Sequence, residues 1–238
     1  MGKNGKRFAA VAEKIDREQL MAFSDAIGLL KETATAKFDE AAEAIFRLGI
    51  DPKKNEHRVR GTVSLPNGTG RTVRVIVIAK GEAMKQAEDA GADRVGGEDL
   101  IEEISGGWLE FDKLVATPDM MSVVSQLGKV LGPRGLMPSP KSGTVTNDVG
   151  QAVTELKGGK VEFRVDEYGQ IQSPFGRASF DQEKLVENFL ALASAIFDEK
   201  PDDTKGRFLQ NCGVASTMGP GIKIDPEEVT KAVTEGKL

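Results

Sequence analysis

The sequence predicts an α/β protein made of a split α+β domain with an antiparallel sheet and an inserted Rossmann-like three-layer α/β domain. Three observations predict it. The continuous apolar run Val73–Ala79 opens a strand–helix alternation that continues to Leu156, the pattern of a parallel sheet covered by helices. On both sides of that stretch, residues 58–65 and 161–165 alternate apolar with polar, as strands with one solvated face do. Glycine-rich breaks at 67–70 and 157–160 separate the two characters. The outer domain is therefore expected over 1–67 and 160–238, and the insert over 68–159. Two crossings between domains form a natural hinge, so relative domain movement is expected.

Taken in order, residues 1–20 are basic and moderately helical, with the first few expected to be disordered. A second helix follows, with Ser24 as its cap and Ile27, Leu30 and Ala34 on its apolar edge. For Glu40–Phe46, propensity alone favours a helix, although Gly49 and Pro52 end the segment early for one. Arg58–Leu65 reads as a half-buried strand, with Val59, Gly61, Val63 and Leu65 on one face. In the insert, the strand Val73–Ala79 leads to a helix from Glu82 to Ala90, a short strand at Arg94-Val95, a helix from Glu98 to Ser105 and a strand from Lys113 to Ala116. Trp108 and Phe111 read as core.

Pro118 then suits a first helical turn, capped by Thr117 or Asp119, and Met121, Val124, Leu127 and Leu131 mark one apolar face. A helix over Val149–Leu156 closes the insert. Behind the second break, Val161, Phe163 and Val165 alternate with Glu162 and Arg164, and Asp166–Gly169 turns the chain into Gln170–Ser173, a predicted hairpin. A long helix follows, with Asp181 near its cap and Leu185, Phe189, Leu192 and Ile196 on its buried side. Phe208–Thr217 reads as a strand and Pro226–Val233 as a short final helix.

The loop Gly132–Lys141 is stiffened by Pro133, Pro138 and Pro140 and carries Arg134 and Lys141 with no acid between them. From Gly135 to Ser142 it has the spacing of a phosphate-binding P-loop, except that Pro140 replaces the second glycine. A P-loop works by pointing backbone N–H groups at phosphate oxygens, and Pro140 has none. Nucleotide hydrolysis by this loop is excluded on that ground.

The 238 residues are 39% hydrophobic, enough for a sizeable core, and no apolar run is long enough for a bilayer. The N-terminus lacks a signal peptide's apolar segment, so a cytoplasmic location is expected. One cysteine, Cys212, and one histidine, His57, leave no Cys/His zinc site; Cys212 reads as a small buried hydrophobe and His57 as an exposed residue entering a strand. The formal net charge of −5 opposes nucleic-acid binding unless cations are segregated. Such segregation is visible. Acids gather at Glu98, Asp99, Glu102 and Glu103 and at Asp198, Glu199, Asp202 and Asp203. Bases gather at Lys3, Lys6 and Arg7, at Lys53, Lys54, Arg58 and Arg60, at Arg71 and Arg74, and at Lys157, Lys160 and Arg164.

Ala116-Thr-Pro-Asp-Met-Met121 and Leu131-Gly-Pro-Arg-Gly-Leu-Met-Pro-Ser-Pro-Lys141 resemble the signature of the bacterial large-subunit ribosomal protein L-one family, the protein of the mobile stalk. The resemblance continues through Lys37–Glu40, Arg60–Pro66, Gly159–Arg164 and Ser216–Pro220, and so covers nearly the whole chain in order. It implies a strand over Glu40–Phe46. It implies that the split domain grips ribosomal RNA and, by the same surface, represses translation of the protein's own messenger, and that the protein assists release of deacylated transfer RNA. These RNAs are its expected partners, and the chain is expected to be a monomer off the ribosome, with no cofactor, metal or membrane.

By motif, the implied RNA-binding residues are Lys37, Phe38, Glu40, Arg164, Asp166, Ser216, Thr217, Met218 and Gly219, with Arg134 and Lys141 as secondary contacts. The chemistry suits them: Phe38 and Met218 can pack on bases or sugars, hydroxyls and glycine amides can bond phosphate or 2′-OH, and Lys37 and Arg164 neutralise charge. Departures from the family pattern fall at Ala41, where Thr is common, at Asn67 and Gln172, where His is common, and at Cys212-Gly213 within a strand. Two rival classes remain, an acidic protein–protein adaptor and a non-P-loop α/β enzyme. Ala79-Lys80-Gly81 is too poor in glycine for a dinucleotide turn, and Lys141-Ser-Gly has no Ser-x-x-Lys companion.

Overall fold

In the computed structural model, which describes residues 5–16, 18–52, 54 and 57–236, the chain divides into two compact units. One joins Met1–Gly70 to Val161–Leu238, and the other is Arg71–Lys160. Lys3 and Lys53 of the predicted basic clusters lie outside the described residues.

The first unit begins with α1 (Lys6–Ala12) and α2 (Phe23–Thr33). In α2, Ala26, Ile27, Leu30 and Thr33 recur every three or four residues and are buried. Ser24 does not cap it. The cap position is Ala22, because Phe23 enters the first turn to stack on Phe189, 6.2 Å between ring centroids. The Ser24 carbonyl instead accepts from Gln182 Nε2 at 2.8 Å. β1 (Ala41–Leu48) is a strand despite its helical composition. Ala42, Ala44, Phe46 and Leu48 point inward at every second residue, so packing overrides propensity.

His57 is not exposed: it is 5% accessible. Its Nδ1 accepts from the Asp51 N–H at 2.9 Å, so Nε2 carries the hydrogen and donates to Asp203 Oδ1 at 2.8 Å. With both nitrogens partnered, the ring can be buried while it bridges two loops. β2 (Arg60–Ser64) completes this part, with Gly61 buried.

In the second unit, β3 (Val75–Ile78), α3 (Glu82–Asp89), β4 (Arg94–Gly96), α4 (Glu98–Ser105) and β5 (Lys113–Ala116) form a parallel sheet in the order β4-β3-β5. β3 is buried on both sides. Val75 and Val77 join a core with Ala87 and Val153, while Ile76 and Ile78 join another with Leu100, Ile104 and Leu131. That is the three-layer arrangement, with helices on each face of one sheet. Phe111 is buried, and Trp108 packs on the same core with Arg94 4.7 Å above its ring.

The predicted helix after Pro118 is broken. A 3₁₀ turn at Pro118–Met120 leads to α5 (Met121–Val124), another 3₁₀ turn at Ser125–Leu127 and α6 (Gly128–Leu131). Thr117 stands at the cap position, but neither its side chain nor that of Asp119 caps. The Ser125 hydroxyl donates to the Ser122 carbonyl three residues back at 2.8 Å, a local bond that competes with regular α geometry. α7 (Val149–Lys157) closes the unit, capped by Asp148, whose carboxylate accepts from Gln151 N.

The chain then returns through β6 (Lys160–Arg164), β7 (Gln170–Arg177), α8 (Gln182–Asp198), β8 (Leu209–Ser216), β9 (Ile222–Ile224) and α9 (Pro226–Thr234). An antiparallel sheet runs β7-β1-β8-β9, and β2 with β6 forms a separate pair. The predicted hairpin is therefore corrected: its strands belong to different sheets and meet at a bridge between Val165 and Ile171. Phe163 holds β6 on β2 by lying over bare Gly61, where a Cβ would stand 2.8 Å from its ring. α8 buries Leu185, Phe189, Leu192 and Ile196, and Asp181 stands at its cap position without a side-chain bond. Cys212 is buried, and burial pushes its thiol up to about 12, so it is inert at neutral pH.

Candidate nucleic-acid interface

Two segments far apart in sequence meet at one end of the four-stranded sheet. The loop before β1 carries Lys37, Phe38, Asp39 and Glu40, and the turn after β8 carries Ser216–Gly219. Glu40 joins them. Only 1% of its surface is exposed, and its carboxylate accepts from Ala36 N (2.8 Å), Ser216 Oγ (2.7 Å) and Met218 N (2.9 Å). Burial alone would raise its pKa. The Met218 and Ala36 N–H groups, the Ser216 hydroxyl and the Arg7 charge outweigh that and hold the carboxyl below its ordinary value.

The strand pairing extends one residue past β8. Thr217 N donates to the Ala41 carbonyl at 3.1 Å, and Ala41 N donates to Thr217 Oγ1 at 2.9 Å, which leaves the hydroxyl hydrogen available to a ligand. Gly219 N donates to the Ser216 carbonyl at 3.0 Å, and a Cβ on Gly219 would lie 2.4 Å from Ser216 Oγ. Glycine is there because the turn folds back on the hydroxyl that serves Glu40. On the other side, the Asp39 carboxylate accepts from Ser179 N (3.1 Å) and Ser179 Oγ (2.8 Å). Both loops are thus fixed, and their tips are bare: Phe38 is 54% exposed and Met218 51%.

Of the sequence-predicted residues, the structure brings together Lys37, Phe38, Glu40, Ser216, Thr217, Met218 and Gly219. Glu40 and Ser216 lie beneath the surface as supports. Arg164 and Asp166 are elsewhere. The β1 register puts Ala42 opposite Ser216 and Arg47 opposite Gln170, so the Asp166 turn is at the other end of the sheet. Five residue steps of about 3.4 Å separate those two rows by roughly 17 Å. Asp166 accepts from Tyr168 N and Gln170 N, both at 2.8 Å, and so fixes its own turn.

Arg134 and Lys141 are exposed on the proline loop of the other unit. That loop is tied internally: Ser139 N donates to Thr144 Oγ1 at 2.9 Å, Ser142 Oγ to the Ser139 carbonyl at 3.0 Å, and Gly143 turns with φ at 67°. The expected basic clusters are largely paired where they stand. Arg60 meets Glu162 (2.7 Å), Arg71 and Arg74 meet Asp112 (2.6 and 3.3 Å), Lys157 meets Asp93 (3.0 Å) and Lys160 meets Glu155 (2.7 Å). Lys37, Arg47, Arg164 and Lys223 make no ion pair among the described residues.

Sequence reasoning missed Asp39, whose clamp on Ser179 has no local signal, and Tyr168, 78% exposed at the tip of its turn. A lone tyrosine in a polar turn could have drawn attention. Among the described residues, no group of three or more His, Cys, Asp or Glu side chains could hold a metal, and no helix is long and apolar enough to cross a membrane.

A rigid turn that exposes apolar and hydroxyl groups beside Lys37 suits a protein that docks structured RNA. Residues 30–220 match the family model described as "Ribosomal protein L1p/L10e family", and the chain belongs to that family. It is thereby a ribosomal protein of the large subunit that binds RNA, a structural class rather than an enzyme class.

Proposed function

We propose that the split unit grips ribosomal RNA of the mobile stalk through the joined loops at 36–40 and 216–219. Phe38 and Met218 pack on bases or sugars, the Thr217 hydroxyl donates to phosphate or 2′-OH, and Lys37 neutralises phosphate. Glu40, Ser216 and Gly219 set the geometry, and Arg164 and Asp166 form a second contact at the far end of the sheet. The observation that carries this reading is the buried Glu40 carboxylate, which fixes two loops from opposite ends of the chain with their apolar tips in solvent. In the large subunit of a cytoplasmic ribosome, the same protein assists release of deacylated transfer RNA, with Arg134 and Lys141 as secondary contacts. Off the ribosome it is a monomer whose RNA-binding loops repress its own messenger.

Thr217→Val and Met218→Ala, assayed by filter binding to a stalk RNA fragment, each weaken binding by about 1–3 kcal/mol with circular dichroism unchanged. Wild-type affinity in both would overturn the assignment. An adaptor reading is separated by salt: log K for RNA falls by about 0.7–0.9 per contacted phosphate for each unit of log[salt].

A further inference from the structure

The Thr217 turn and the Asp166 turn stand at opposite ends of the same strands, so an RNA that touches both crosses the outer face of the β7-β1-β8-β9 sheet. That face is open. Along β1 the inward residues are buried, whereas Glu43 and Ile45 are half-buried and Arg47 is exposed, and Ile45 belongs to none of the core clusters.

The register assembles these positions into rows. Ile45 pairs with Gln172 on β7 and Gly213 on β8, and Gly213 pairs with Lys223 on β9. An isolated antiparallel bridge joins Val165 to Ile171 at the β7 edge of this sheet, with Arg164 next to it in sequence. In the next row, Arg47 stands between Gln170 and Asn211. A shallow recess of about 350 Å³ opens among Ile45, Arg47, Asn211, Gly213 and Lys223. Its floor is low because a Cβ on Gly213 would meet the Ile222 carbonyl at 2.8 Å. Close approach of β9 thus accounts for a glycine where strands favour β-branched residues.

Charge identifies the occupant. Arg47, Arg164 and Lys223 are exposed and without ion pairs among the described residues. Glu43 is the acid between them and the Thr217 end, and Glu167 stands beside Tyr168. Gln172 and Asn211 make no side-chain hydrogen bond among the described residues, which leaves amide donors and acceptors for base edges or 2′-OH groups. At the far end, Tyr168 projects from a turn that is doubly held. Asp166 accepts from its N–H, and the Gly169 carbonyl accepts from Leu48 N at 2.8 Å.

We infer that one RNA lies along this face from the Phe38–Met218 end to Tyr168. Arg47 and Lys223 neutralise its phosphates, Gln172 and Asn211 bond its edges, and Tyr168 stacks on a base. This rests on the RNA reading above and extends the surface to residues outside the family motifs.

The test measures binding of the full chain to the stalk RNA fragment, with Thr217→Val as the reference. The Arg47→Gln, Lys223→Gln double variant is expected to lose roughly tenfold or more in affinity and to flatten the salt slope by about 1 to 2. Tyr168→Ala is expected to lose about fivefold or more, and Tyr168→Phe less than about twofold. Folding should be unaffected, since among the described residues these side chains have no hydrogen-bond or ion-pair partners to lose. If Thr217→Val weakens binding while the double variant and Tyr168→Ala match wild type, the RNA stays at one end and the inference is overturned, with the RNA reading intact. If no variant changes affinity, both fail. Weaker binding of the Arg47, Lys223 double variant with an unaltered salt slope would also overturn it, because those two cations would then meet no phosphate.

Discussion

The turn Ser216–Gly219 and the loop Gly132–Lys141 are both irregular and rich in glycine or proline, yet they are held in opposite ways. The turn is fixed by a carboxylate 176 residues away in sequence, and its threonine bonds a strand equally distant. The loop is fixed by its own neighbours, with Ser139, Ser142 and Thr144 bonded within five residues of one another. A segment that shapes itself must carry its instructions locally, so the loop is conspicuous in the sequence. The turn is shaped from elsewhere and looks ordinary. The difference teaches that conspicuousness and readiness to bind are separate properties: here the inconspicuous segment presents bare apolar tips to solvent.

The contrast breaks most sharply at Glu40. Glu40→Ala leaves the Ala36 and Met218 N–H groups and the Ser216 hydroxyl without their acceptor, and should cost on the order of 3 kcal/mol in urea unfolding. RNA affinity should fall as well. An unchanged urea midpoint would mean that the turn holds itself, as the proline loop does. Acid offers the same test without mutation. Because the folded pKa of Glu40 is held below the ordinary 4.5, its contribution is complete above that pH. It is lost as pH falls from 4.5 through the folded pKa. Wild type should therefore lose stability across that window more steeply than Glu40→Ala, and parallel curves would count against the linkage.

A smaller effect is expected at Gly219. Gly219→Ala puts a methyl 2.4 Å from Ser216 Oγ, so the hydroxyl or the turn must shift. We expect about 1–3 kcal/mol of destabilisation, with RNA affinity lowered because Met218 moves with the turn. Calorimetry and filter binding on one preparation check both, and a variant that is stable yet binds as wild type would show that the turn tolerates the displacement.

Much of the fold was legible because periodicity is local. The buried run at Val75–Ile78, the helix Glu98–Ser105 and the strand Lys113–Ala116 follow from neighbours three, four or two residues apart. What was not legible is what distant residues decide. Ser24 loses its predicted cap to the stacking of Phe23 on Phe189, His57 is drawn inward by Asp203, and β6 leaves its hairpin for β2 over Gly61. At the candidate interface, the residue types came from motif likeness, while their grouping did not. Only the strand register and the Val165–Ile171 bridge show that the segment from Arg164 to Asp166 lies toward the Gln170 end, away from Thr217.

The smallest effect is expected in the proline loop. Arg134 and Lys141 are exposed and make no ion pair among the described residues, and the hydrogen bonds that shape the loop come from Ser139, Ser142, Thr144 and the backbone. Arg134→Gln combined with Lys141→Gln should therefore leave stability within about 0.5 kcal/mol of wild type. Affinity for the stalk RNA fragment and its salt slope should also stay unchanged, since that RNA is assigned to the other unit. A stability loss beyond that range would show that the cations help shape the loop and would erase its contrast with the Glu40-held turn. A flatter salt slope would place stalk phosphates on the loop and extend the RNA surface to both units.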